Sequence, residues 1–207
     1  MRERRKTMAS FVNRNRNNLF KKRDYLNIVK WVVRYVSLYF GYRCEPRVFE
    51  SVNTEGSLMC ICGGYKKGKY AIFYDYMQWK REFGDLSFEE QAATVMYITA
   101  HEMRHYYQLR QLESKRPDEH EERLESWRKN MDNPRYVDSG CSVFDFFMQP
   151  MELDATLFAY VFLADMTDLL FNTDYIGESY IDELEKYYIE LFGQTNEELF
   201  PNNQDAE

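Results

Sequence analysis

"HEMRHYYQLR", residues 101–110, holds two of the chain's three histidines, four residues apart, with a glutamate directly after the first. A helix turns 100° per residue, so His101 and His105 stand one above the other, about 40° apart around the axis. Their imidazoles can converge on one ion, while Glu102 takes the adjacent face, near enough to act on a water without being a ligand. A zinc ion held by neutral imidazoles brings the pKa of its water toward about 7, and a neighbouring carboxylate can then accept the proton. The expected roles are therefore metal ligand for His101 and His105 and general base for Glu102. At ordinary residue frequencies the pattern arises by chance in roughly 1% of chains of this length. The rest of the chain must therefore supply what such a centre needs.

It needs a third protein ligand. One class of zinc peptidase takes a third histidine six residues after the second, with a glycine between, but those places hold Gln111 and Gln108. The remaining histidine, His120, lies in "PDEHEERLE", which reads as a solvated charged helix, so it is expected at the surface. "MQPMELDATLFAY" offers a carboxylate instead: Glu152 sits in an otherwise apolar helical pattern, where an unpaired carboxylate is costly to bury and coordination would resolve the cost. Asp154 falls about 200° around that helix from Glu152 and cannot easily address the same ion. Ala155 and Ala159 would let a neighbouring helix approach closely, and Thr156 is a candidate hydrogen-bond partner for a ligand histidine.

These side chains need elements to position them. "SFEE" places Ser87 three residues before Glu90, a capping box ahead of an uninterrupted run without Gly or Pro from 88 to about 113, so the motif should lie well inside a helix. Pro150 suits the first turn of the helix that carries Glu152, expected over 151–170. Upstream, Asp24 is expected to cap a helix over "YLNIVKWVVRYVSLYF", packed on two sides. "PRVFESV" reads as a short strand, and "SLMCICGG" and "KYAIFYDY" as a hairpin turning at Gly68. Residues 114–130 are expected to be partly helical and solvated, "MDNPRYVDSG" a loop, and a last amphipathic helix should run from about Tyr180 to Phe192. The fold class is thus α+β with a small antiparallel sheet. The division is a basic flexible segment over 1–23, a single domain over 24–195 and a polar tail over 196–207.

Composition sets bounds on this reading. The 207 residues suffice for one core, and 44% hydrophobic with 17% aromatic content argues against disorder despite 29% charged residues. Residues 1–23 carry nine Lys or Arg against Glu3 alone, while the net charge is −7, so the remainder is distinctly acidic. A solvated, frayed terminus is the leading reading of that head. An arm for nucleic acid or an anionic surface is the other, and no aromatic-rich binding motif adds to it. No apolar run follows the basic start, and "YLNIVKWVVRYVSLYF" is too short and too charged to span a bilayer comfortably, so a cytoplasmic protein without a membrane span is expected. Cys44, Cys60, Cys62 and Cys141 read as reduced packing residues, because Cys60-x-Cys62 lacks a second pair at zinc-ribbon spacing.

Helix-borne "HEMRH" followed by "ELDATLFA" resembles the zinc metallopeptidases of the gluzincin type, in particular the ImmA/IrrE-like group. That group's second motif is similar to Glu-x-(Glu/Asp)-Ala-x-x-Phe-Ala, matched by Glu152, Asp154, Ala155, Phe158 and Ala159. The likeness covers roughly residues 24 to 170 in architecture and is specific in the two motifs. It implies a zincin-like fold with an edge strand beside the cleft, Zn²⁺ as cofactor, His101, His105 and Glu152 as ligands, Glu102 as general base, and a peptide or protein substrate. Residues 114–147 form a longer insertion than that plan has, and Arg104 and Gln108 depart from a plain peptidase site. Tyr136 and Tyr106 are candidate oxyanion donors, with packing the commoner role for a tyrosine in so tyrosine-rich a chain. The function expected is a zinc-dependent metallohydrolase, foremost a peptidase using a metal-activated water, with "KYAIFYDY" binding substrate by strand addition. The alternatives are a non-catalytic zincin-fold binding or regulatory protein and a metal-free helical protein with a chance motif. His₂Glu sets also accept other divalent ions.

Overall fold

The computed structural model describes residues 21–51, 58–63, 69–135 and 140–166, together with Lys186 and Ile189. Its elements run α1 (Lys22–Tyr39), β1 (Arg47–Glu50), β2 (Met59–Gly63), β3 (Tyr70–Tyr74), α2 (Tyr76–Phe83), α3 (Phe88–Glu113), α4 (Glu121–Asp132), α5 (Val143–Phe147) and α6 (Pro150–Met166). The class is α+β, mostly helical with one three-stranded sheet.

Two long helices make the frame. Helix α3 begins as its capping box dictates: Ser87 Oγ accepts from Glu90 N at 3.3 Å and Glu90 Oε2 accepts from Ser87 N at 2.8 Å. The motif therefore lies in mid-helix. Helix α6 has buried residues all round its circumference, as a helix apolar on every face must. Ala155 and Ala159 are fully buried, as is Ala100 on α3, so little side-chain bulk separates the two helices. Helix α1 buries Ile28, Val29, Val32, Val33 and Val36, and turns Trp31 and Tyr35 onto Phe162 of α6. Asp24 sits at the third helical position rather than at the cap, and its Oδ2 accepts from Lys21 N at 3.1 Å.

The sheet corrects the expected topology. Its order is β1-β3-β2: β2 and β3 form the antiparallel pair, but β1 pairs with β3 in parallel, so the sheet is mixed. Alternation assigns faces, not direction. The outer edge of β2 lies against α3, where Ile61 N donates to Glu102 Oε2 at 2.9 Å, so β1 docks beside β3 instead. It follows that "KYAIFYDY" is paired on both sides and cannot bind substrate by strand addition; the edge strand beside the motif is β2. That stretch also yields to helix earlier than expected, because Asp75 caps α2 through Gln78 N at 2.9 Å.

The insertion is less solvated than its charge suggests. Leu124 and Trp127 of α4 are fully buried and form a second cluster with Met151, with Tyr107 and Leu112 packed against it. The hairpin turn at Gly68, Tyr136, nearly all of the Tyr180–Phe192 helix, most of the basic head and the polar tail lie outside the described residues. No helix among the described residues is long and apolar enough to cross a membrane.

Candidate metal centre

Helix α3 supplies His101 and His105 and α6 supplies Glu152 from its first turn, where the helix dipole favours a carboxylate. The His101 and His105 Nε2 atoms are 3.0 Å apart. Glu152 Oε2 lies 3.2 Å from the first and Oε1 3.4 Å from the second. A tetrahedral ion with ~2.0–2.1 Å bonds holds its ligand atoms about 3.3–3.4 Å apart. The three side chains, all partly buried, therefore form a group that could hold a metal ion. This is the set expected from the sequence. His120 is not part of it: it precedes the first turn of α4 and is exposed.

Burial and charge tune the donors. Burial alone would raise Glu152, yet His105 and then His101 hold it well below the usual carboxylate range. Burial alone would lower His105, but the Glu152 charge and hydrogen bond, aided by Glu102 and Gln108, push it up to about 9. Glu102 lies beside the group rather than in it. Burial raises its carboxyl above the ordinary value and Glu152 adds to that, while His105, His101 and the Ile61 amide oppose the shift. A carboxylate with raised proton affinity next to a metal-ligand set is suited to general-base work near neutral pH.

Two further residues contact the histidines of the group, and only Thr156 was expected. Thr156 Oγ1 is 3.5 Å from His101 Nδ1, in the place anticipated for it. Gln108 Oε1 is 2.8 Å from His105 Nδ1. Asp154, turned away from the ligand group as its helical angle required, pairs with Arg104 through Nε–Oδ2 at 2.8 Å and Nη2–Oδ1 at 2.9 Å. The i, i+3 spacing of His105 and Gln108 on one helix was the signal for the Gln108 contact. Tyr106 is a packing residue: its hydroxyl donates to Cys44 O at 3.3 Å and its ring meets Tyr42 and Tyr70. Cys60 and Cys62 lie outside the core, on the sheet face opposite Ile61, with their sulfurs 3.7 Å apart. No protein-family model, no curated protein and no solved structure matches the chain.

Proposed function

We propose that the protein is a zinc-dependent metallohydrolase, foremost a peptidase, with a centre similar in its two motifs to that of the ImmA/IrrE-like gluzincins. One observation carries the reading: three side chains from α3 and α6 bring two imidazole nitrogens and the two oxygens of one carboxylate to contacts of 3.0–3.4 Å, with Glu102 beside them. A bound zinc ion supplies Lewis acidity toward a carbonyl oxygen and an acidic water near neutral pH. The chain's own residues do the rest. Ile61 N–H fixes Glu102 through Oε2, and Glu102 Oε1 is the atom assigned to take the proton from the attacking water and pass it to the leaving amine. A purely structural zinc site requires ligands but no such base, so the presence of Glu102 favours the enzyme over a binding or regulatory module of the same fold.

The test is Glu102→Gln. The amide oxygen can still accept from Ile61 N, so fold and zinc content should be unchanged. Turnover should fall about 10²–10⁴-fold, the usual contribution of a general base. Wild type and variant would be incubated with a broad peptide library and new termini read by mass spectrometry. Undiminished cleavage by the variant would remove Glu102 from the chemistry. Zinc-loaded wild type that cleaves nothing across the library would favour the binding module.

A further inference from the structure

We infer that Gln108 is a positioning residue of this centre, whose buried amide fixes the His105 ring with Nδ1 donating and Nε2 directed at the metal. The inference rests on the metal reading above. The hydrogen-bond partners of the amide leave one assignment. Gln108 is fully buried, and its Nε2 lies 3.0 Å from Met151 O and 2.8 Å from Asp154 Oδ2. Both partners can only accept, the second because it is already committed to Arg104 Nε. Flipping the amide would set Oε1 against two acceptors in a site that excludes water, so the nitrogen end is fixed there. Oε1 is thereby left facing His105 Nδ1 at 2.8 Å, and an acceptor in that place requires Nδ1 to carry the hydrogen. A neutral imidazole protonated on Nδ1 has its lone pair on Nε2, the atom that faces His101 Nε2 and Glu152 Oε1. Only that nitrogen can bind a metal.

The far end of the chain of contacts is anchored equally well. Arg104 grips Asp154 with a two-bond fork, the most directional form of this pair. The guanidinium lies 4.5 Å from the Tyr107 ring centre, 5.5 Å from that of Phe158 and 5.7 Å from that of Phe40, so it is held in an aromatic cage. The path Arg104–Asp154–Gln108–His105 thus converts a buried ion pair between α3 and α6 into a fixed ring orientation. His101 lacks such a determinant. Its Nδ1 contact is the Thr156 hydroxyl at 3.5 Å, a group that both donates and accepts and so specifies no tautomer.

Two measurements on the full chain test this. Zinc affinity is read by competition with a chromophoric chelator for wild type, Gln108→Leu, Gln108→Met and Thr156→Val. Loss of an orienting partner typically weakens metal binding 10–100-fold, and that range is expected for both Gln108 variants, with a smaller loss for Thr156→Val. Met fills the space of the amide with an unbranched chain that offers His105 Nδ1 no oxygen acceptor, so it covers the case in which Gln108→Leu does not fold. Nitrogen-edited NMR of histidine-labelled, metal-free protein supplies a readout that a merely structural amide would not move. Above about pH 9, where the ring is neutral, the His105 nitrogen signals should report a hydrogen on Nδ1 in wild type and a mixture of both tautomers in Gln108→Leu. A folded Gln108→Leu that binds zinc as tightly as wild type and keeps the hydrogen on Nδ1 overturns the inference. Wild type that binds no zinc overturns the metal reading on which it rests, and is told apart from failure of the relay by a persisting Nδ1–H signal.

Discussion

His105 and Glu152 face each other across the centre with opposite charges in the metal-free chain, and each drives the other's titration away from its ordinary value. A folded-state pKa above the unfolded one stabilises the fold while the group is protonated. The His105 contribution is therefore complete below about 6.5 and is lost as pH rises through about 9. Glu152 is the opposite case, its contribution present above 4.5 and lost as pH falls toward its depressed value. Metal-free protein should accordingly be most stable between those two ordinary values, and its thermal midpoint should decline on the way to about pH 9; a midpoint that rises over that interval would contradict the pairing. Zinc must displace the His105 proton, so loading near pH 7 should release about one proton per chain, measurable by calorimetry in buffers of different ionisation enthalpy. At this scale the sequence was informative where spacing carries geometry. His101, Glu102 and His105 follow from helical period, and Glu152 from the cost of a carboxylate in an apolar helix. Asp154 could be set aside as a ligand by its angle, but its partner Arg104 is fifty residues away in sequence, and no local pattern encodes that pairing.

Ligand geometry depends on how α6 meets α3 and α4. Asn130 of α4 accepts from Met151 N through Oδ1 at 3.1 Å and donates to Gln149 Oε1 at 2.9 Å, which ties the start of α6, and with it Glu152, to the insertion. Trp127 and Leu124 supply the apolar half of that joint. Trp127→Ala should cost about 3–5 kcal/mol by denaturant unfolding, as deletion of a buried large aromatic does, and should weaken zinc binding as well because the Glu152 turn loses its support. Full stability in that variant would show α4 to be dispensable. The long helices were legible because capping and periodicity agree over many residues. The docking of α4 was not: its two core residues are spaced three apart in a run of charges, too few to set an apolar stripe. Sheet direction was illegible for a different reason, since pairing in either sense uses the same alternation. The two shorter helices did carry signals, Asp75 before Gln78 and Ser142 before Asp145, both realised as side-chain caps.

Across the whole molecule, one ion would join α3 to α6 through ligands about fifty residues apart in sequence, and so couple metal loading to global stability. A ligand present at 100 times its dissociation constant stabilises by about 2.7 kcal/mol. For a domain of this size each kcal/mol moves the midpoint by about 2–4 °C, so chelation should lower Tm by about 5–10 °C, and re-addition of zinc should restore it. An unchanged midpoint would mean that the ion does not bridge the two helices.

We propose that His101, His105 and Glu152 hold one metal ion between two helices. The decisive measurement is zinc content, by elemental analysis of protein purified without chelator, for wild type, His105→Ala and Glu152→Gln. The geometry predicts about one zinc per wild-type chain and a near-complete loss in both variants, each of which removes a ligand and retains the helix that carried it. Near-zero zinc in all three proteins, or a full complement in either variant, would mean that these three side chains do not bind the ion.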